Sequence, residues 1–213
     1  MGIILFGIVV MKFINLLRNE HMNKIIYTSI TNNFEKVRND ILVLSNSAFP
    51  SSRKCARFNK CFPPVCDYSL WIDGNTFPKF NIDYYIDNFL NEHDMCVFKH
   101  PIRDCIYDEA EACSILSLDD SSIIKSQMDK YRKENYPSHN GLAATTYVLR
   151  RHTHKILEFN DLWWTEINNG SIRDQLSFDY CCWKLDIKYN TFPETHFDNF
   201  KHNSLFTYNT HGE

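Results

Sequence analysis

Along most of the chain, short apolar runs alternate with longer stretches whose apolar residues recur at helical spacing. Lys24 to Ile30 and Asp40 to Leu44 are runs of the kind buried on both faces of a sheet. Tyr68-Ser69-Leu70-Trp71-Ile72 is a third, built of residues that pack well on a pleated surface. It runs into Asp73-Gly74-Asn75, where Gly74 readily takes positive φ and Asn75 tolerates it. Met95 to Lys99, Ala143 to Leu149 and Ile187 to Phe192 complete the predicted strands. Between them, a helix over 82–92 places Ile82, Ile86 and Phe89 on one stripe. Asp104 reads as the N-cap of a helix to about Leu116, and Ser121 to Asn135 as another that carries Ile124, Met128 and Tyr131 inward. The strongest pattern is His154 to Asn169, with Ile156, Phe159, Trp163 and Ile167 on one face, closed by Asn169-Gly170. Ser171 and Asp174 then read as a capping box that opens a helix to about Leu185.

Strands alternating with helices predict an α/β sandwich around a mostly parallel sheet. In such sheets ligands bind beyond the carboxyl ends of the strands, which is where Asp73 falls. The fold is expected to occupy residues 22–193, with an apolar extension over 1–21 and a polar tail over 194–213, both outside it. Gly2 to Met11 is too short to span a bilayer comfortably, is followed by Lys12, and lacks the features of a signal peptide. A weak membrane anchor, a docking helix and an upstream extension of the reading frame remain open for it, with Met22 opening the first strand. A cytoplasmic location is expected, with membrane association or the secretory lumen as alternatives.

Composition changes the picture in three places. A net charge of -3 over 213 residues gives no global reason to expect a nucleic-acid partner. The six glycines make neither a dinucleotide fingerprint nor a P-loop, so a phosphorylated ligand must be neutralised by a metal or by cationic side chains. None of the eight cysteines forms a C-x-x-C pair, and most read as small buried hydrophobes. The basic stretch over 45–64, with Arg53, Lys54, Arg57 and Lys60, is either a solvated helix face or a contact for an anionic ligand.

Several motifs occur together in a fixed order: Trp71-Ile72-Asp73-Gly74-Asn75; Phe98-Lys99-His100-Pro101 with Arg103-Asp104-Cys105-Ile106-Tyr107 and Glu109-Ala110; Asn140-Gly141-Leu142 with Arg150-Arg151-His152; Phe159-Asn160 with Leu162-Trp163-Trp164; and Arg173-Asp174-Gln175-Leu176-Ser177-Phe178. Over Lys24 to Pro193 the chain thereby resembles the glycosyltransferase-like domain family of the plant mucilage-related glycosyltransferases and the turgor-regulation-defect protein. The resemblance implies a GT-A-like, Rossmann-type three-layer α/β/α sandwich, a nucleotide-sugar donor, and Mn²⁺ or Mg²⁺ held by a D-x-D motif at a strand end. Here that place reads Asp73-Gly74-Asn75, so an amide oxygen replaces the second carboxylate.

On this reading Asp73 and Asn75 are the metal ligands, with an ordinary Asp-Gly turn as the alternative. His100 and Arg103 are substrate contacts; a helix-start salt bridge from Arg103 to Glu109 is the competing role. Asp174 is the candidate catalytic carboxylate on the acceptor side, with Arg173 and Gln175 beside it. Of the adjacent Trp163 and Trp164, one is core and Trp164 is offered as a sugar-stacking platform. The expected activity is metal-assisted transfer of a sugar from a nucleotide-sugar to a glycan, protein or lipid acceptor. The alternatives are a ceramidase-like hydrolase and a non-catalytic carbohydrate-binding protein. Against the hydrolase, the sequence has no H-E-x-x-H motif, no G-x-S-x-G elbow and no evident zinc triad.

Overall fold

A computed structural model of the chain describes residues 23–31, 38–45, 49–193 and 203–208. The predicted extension over 1–21 lies outside the described residues. In chain order the elements are β1 (Lys24–Ser29), β2 (Leu42–Leu44), α1 (Ser52–Cys61), β3 (Tyr68–Ile72), β4 (Thr76–Pro78), α2 (Ile82–Phe89), β5 (Met95–Lys99) and α3 (Ile106–Ile115). There follow α4 (Ser121–Lys133), β6 (Ala143–Arg151), α5 (His154–Asn169), α6 (Gln175–Lys184), β7 (Asn190–Thr191) and β8 (Phe206–Tyr208). Among the described residues the main sheet has six strands in the order β2-β1-β3-β6-β5-β7. Only β6 runs against its neighbours; β1 is parallel to β2 and β3, and β5 to β7. Since β3 and β5 are each antiparallel to β6, they point the same way. Asp73 and His100 therefore open on the same edge of the sheet, as the strand pattern requires.

The alternation of side chains along a strand decides what each face buries. From β3, Leu70 and Ile72 join Cys96, Phe98, Tyr147 and Leu149 on one face, which packs against Tyr85 of α2 and Leu205 and Phe206. Trp71 turns to the other face with Tyr27, Val97 and Val148, beneath Ile106, Met128, Phe159, Trp163 and Phe178 of the helices. The result is an α/β sandwich with a mostly parallel sheet. One outer layer is helical; among the described residues, the other is made of α2 and the two-stranded β4–β8 sheet.

Several local expectations change. Helix α5 keeps the predicted span, and Gly170 after it is required: a Cβ there would meet the Gln127 amide nitrogen at 2.4 Å and the Glu166 carbonyl at 2.8 Å. The next helix has no capping box. Asp174 is its N-cap residue but makes no side-chain cap bond, and Ser171 Oγ donates to Asp119 at 2.6 Å instead. Helix α3 starts at Ile106 behind Cys105, because the Asp104 carboxylate is taken by His139 at 2.8 Å. The strand expected over 187–192 shrinks to two residues, as Ile187 and Tyr189 pack onto the helical layer. The tail is not wholly outside the fold: β8 pairs antiparallel with β4, and Phe206 is fully buried. Helix α1 is not a solvated face, because Asn59 and Lys60 are buried.

Candidate functional site at the carboxyl edge of the sheet

The end of β3 and the start of β6 build the floor of the site. The Asp73 N–H donates to the Thr146 carbonyl at 3.2 Å, and the Thr76 N–H returns to the Asp73 carbonyl at 3.1 Å. Asp73-Gly74-Asn75 is thus a true turn, carrying the chain from β3 into β4. The turn and site roles do not exclude each other: the Asp73 side chain remains 37% exposed at the sheet edge. Its Oδ1 accepts from Trp71 Nε1 at 3.0 Å and lies 3.8 Å from the Lys60 ammonium. Asn75 has interactions of its own with neighbouring groups.

Next to Asp73 lies a buried charge cluster. Lys60 Nζ donates to Asp174 Oδ2 at 2.6 Å, and Arg57 Nε lies 3.0 Å from Asp174 Oδ1. Thr145 Oγ1 also donates to Oδ2, at 2.9 Å. Thr145 reaches it because β6 bulges: Val148 pairs with Val97 but Ala144 with Phe98, leaving Thr145 to Tyr147 as extra residues on β6. Trp163 Nε1 holds the Asp174 backbone carbonyl at 3.0 Å. Burial opposes charge on Asp174, yet Arg57 and Lys60 outweigh it and hold the carboxyl well below its ordinary range. A carboxylate fixed in this way is a poor proton acceptor near neutral pH, which argues against Asp174 as a general base.

Lys60 owes its position to the last turn of α1. Its carbonyl accepts from Tyr27 Oη at 2.8 Å and from Arg150 Nη2 at 2.7 Å. Arg150 is fully buried and also donates to Asn160 Oδ1 at 2.7 Å. A cation at a helix C-terminus complements the helix dipole and satisfies carbonyls that have no partner within the helix. Burial of Arg150 thus holds Lys60 beneath Asp174.

His100, Arg103 and Arg173 gather at the end of β5. The His100 Nδ1 accepts the N–H of Arg103 at 2.9 Å, so the ring proton sits on Nε2, 3.7 Å from Glu109. Burial lowers the His100 pKa, which favours the neutral ring. Its evident job is to fix the loop at 100–103. Arg103 makes the salt bridge to Glu109 at 2.6 Å, and it stays partly exposed. Arg173 lies beside Asp174 and within reach of Cys113. Gln175 opens α6, half-buried, with no partner for its amide nitrogen among the described residues. Trp164 is placed differently from the expected platform: it packs against Phe49 at 5.2 Å and Phe58 at 5.1 Å, with Phe62 beyond, so it joins α5 to α1. All eight cysteines are free thiols.

The fit to a hard divalent cation rests on few donors. Among the described residues, the one group of three or more His, Cys, Asp or Glu ligands lies elsewhere and does not include Asp73. Asp73 offers one carboxylate and Asn75 an amide oxygen. This suits an ion such as Mg²⁺, which commonly takes one or two carboxylates and completes its shell with substrate phosphates and water. Sequence reasoning missed Lys60, Arg57 and Thr145 as a unit. The basic run over 45–64 signalled the two cations, but nothing local signalled their burial or their shared partner.

The chain matches, over residues 15–211, the model of the TOD1/MUCI70 glycosyltransferase-like domain. It belongs to that family. A relative from Arabidopsis thaliana, described as a probable hexosyltransferase MUCI70, is 26% identical over 166 residues, which is 70% of this chain and 28% of the relative. The chain therefore spans less than a third of that relative's length. Among solved structures it is similar to a glycosyltransferase involved in the glycosylation of the major capsid of PBCV-1, at 11% identity and a TM-score of 0.48, covering 87% of this chain and 93% of that one. As a TOD1/MUCI70 domain it is a glycosyltransferase-like protein. No helix among its described residues is long and apolar enough to cross a membrane.

Proposed function

We propose that the domain transfers a sugar from a nucleotide-sugar, with the donor diphosphate lying over the edge formed by Asp73, Thr145 and α1. One observation carries this reading. Two cations, Arg57 and Lys60, share the single buried carboxylate of Asp174 beside Asp73 at the carboxyl ends of the parallel strands. With Asp73 3.8 Å from Lys60 these four charges balance, Arg57 stays 20% exposed toward solvent, and a divalent cation held at Asp73 would leave the cluster positive. Preorganised positive charge stabilises the charge that develops on a leaving diphosphate. Asp73 and Asn75 would hold Mn²⁺ or Mg²⁺, which when bound supplies further neutralisation of the same phosphates. Asp174 then acts as a positioning residue: it aims Arg57 and Lys60 and takes no proton. Arg173, Arg103 and Gln175 line the neighbouring edge as substrate contacts.

The test is incubation of the full chain with a set of nucleotide-sugars, with and without Mn²⁺, reading release of the nucleoside diphosphate. Release that depends on Asp73 is expected. A protein that binds sugars but releases no nucleotide would favour the non-catalytic alternative, and cleavage of a lipid amide would favour the hydrolase.

A further inference from the structure

A second group of chemistry-bearing side chains lies outside this site. The Sγ of Cys105, a carboxylate oxygen of Asp108 and a ring nitrogen of His139 all fall within 4.8 Å of one another. Cys105 is the residue before α3 and is 2% exposed, while Asp108 lies on the first turn of that helix, three residues on and so on the same side. His139 comes from the loop before β6, where it holds a left-handed φ of 53°. The two segments are tied together: the Gly141 N–H donates to the Asp104 carbonyl at 2.9 Å, and Asp104 Oδ1 meets His139 Nδ1 at 2.8 Å.

We propose that Cys105, Asp108 and His139 form a zinc site, with Asp104 as the carboxylate that orients the histidine. The donor set is one thiolate, one imidazole and one carboxylate, the mixture zinc accepts at bond lengths of about 2.0–2.3 Å. A carboxylate on one ring nitrogen fixes the tautomer and leaves the other nitrogen's lone pair for the metal, the usual outer-shell arrangement around a metal-bound histidine. The thiolate separates this site from the hard-cation position at Asp73, since Mg²⁺ and Mn²⁺ prefer oxygen donors alone. Three protein ligands leave a fourth position for water or an outside ligand. Bound zinc would clamp the loop that carries His100 and Arg103 to the loop that leads into β6. The site stands independently of the sugar-transfer reading.

The experiment uses the full chain, stripped by chelator, and titrates Zn²⁺ in competition with a chromophoric chelator. In parallel, Co²⁺ is added and the near-ultraviolet sulfur-to-cobalt charge-transfer band is recorded. One zinc per chain is expected, with the cobalt band present in the wild type and absent in Cys105→Ser. His139→Ala should weaken zinc binding at least 100-fold, and Asp104→Asn about 10- to 100-fold, the usual cost of losing an outer-shell partner. Because Cys105 is buried, Asp108→Asn and Asp104→Asn at exposed positions keep the proposal testable should Cys105→Ser fail to fold: both should weaken zinc binding while leaving the cobalt band in place, and unchanged affinity in both would overturn it. Affinity should fall as pH falls, since the thiol and imidazole must lose their protons. A folded wild type without stoichiometric zinc binding, a cobalt complex without a thiolate band, or binding unchanged in His139→Ala would each overturn the proposal.

Discussion

Substituting Asp174 by Asn tests the buried charge cluster most directly. The change keeps the side-chain shape but leaves Lys60, 1% exposed, and Arg57, 20% exposed, sharing a neutral oxygen. Removing one partner of a buried ion pair costs about 3–5 kcal/mol, because the other charge stays desolvated and uncompensated. Near two hundred residues each kcal/mol shifts Tm by roughly 2–4 °C, so Asp174→Asn should lower Tm by roughly 6–20 °C. Lys60→Met alone should cost less, since Asp174 keeps Arg57 at 3.0 Å and the Thr145 hydroxyl at 2.9 Å. In the double variant the losses should fall short of additive by about 0.5–3 kcal/mol. Urea unfolding of the four proteins supplies the cycle. The pH dependence has a defined sign: Asp174 has a lowered folded-state pKa, so its contribution is complete above its unfolded value near pH ~3.9. That contribution is lost as pH falls below this value toward the folded pKa, and the gap between wild type and Asp174→Asn should narrow there. A loss under about 1 kcal/mol at pH 7, or strict additivity in the cycle, would refute the claim that these residues act as one buried cluster.

Asp73→Asn should keep the fold, because a turn accepts either residue, yet weaken Mn²⁺-dependent nucleotide-sugar binding by about 10- to 100-fold in calorimetry, as expected for one lost charged interaction. Asn75→Asp should tighten Mn²⁺ binding; unchanged affinity in both variants would remove the turn from the site. Trp164→Ala should cost roughly 2–3 kcal/mol, less than the 3–5 of a fully buried tryptophan, and leave donor affinity within about twofold; a tenfold loss of affinity without a loss of stability would restore the sugar platform. Phe206→Ala should cost about 3–5 kcal/mol in chemical unfolding, since the ring stacks on Tyr147 at 3.8 Å and Tyr85 at 5.2 Å, and a loss below about 1 kcal/mol would return the tail to the outside of the fold.

The sequence by itself determined the parts that rest on local periodicity. Helix α5 was legible because four apolar residues fall on one face and a glycine closes it. Strand β3 was legible because its residues suit a two-sided buried strand and end at a turn pair, which also placed Asp73 at the carboxyl edge of the sheet. Tertiary structure decided the rest. Lys60 and Asp174 are 114 residues apart, and no local rule links them. A lysine in a polar helix reads as solvated, since unpaired lysines are almost never fully buried. Here it is buried because α1 is held down by Arg150 from β6, the strand antiparallel to its neighbours in the main sheet, and because Asp174 arrives from the start of α6 to pair with it. Strand β8 was hidden for a related reason: three residues in a polar tail carry too little pattern, and only pairing with β4 and the stacking of Phe206 on Tyr85 and Tyr147 make a strand of them. Charge placement and strand pairing depend on which distant segment supplies the partner, and that is settled only once the sheet has formed.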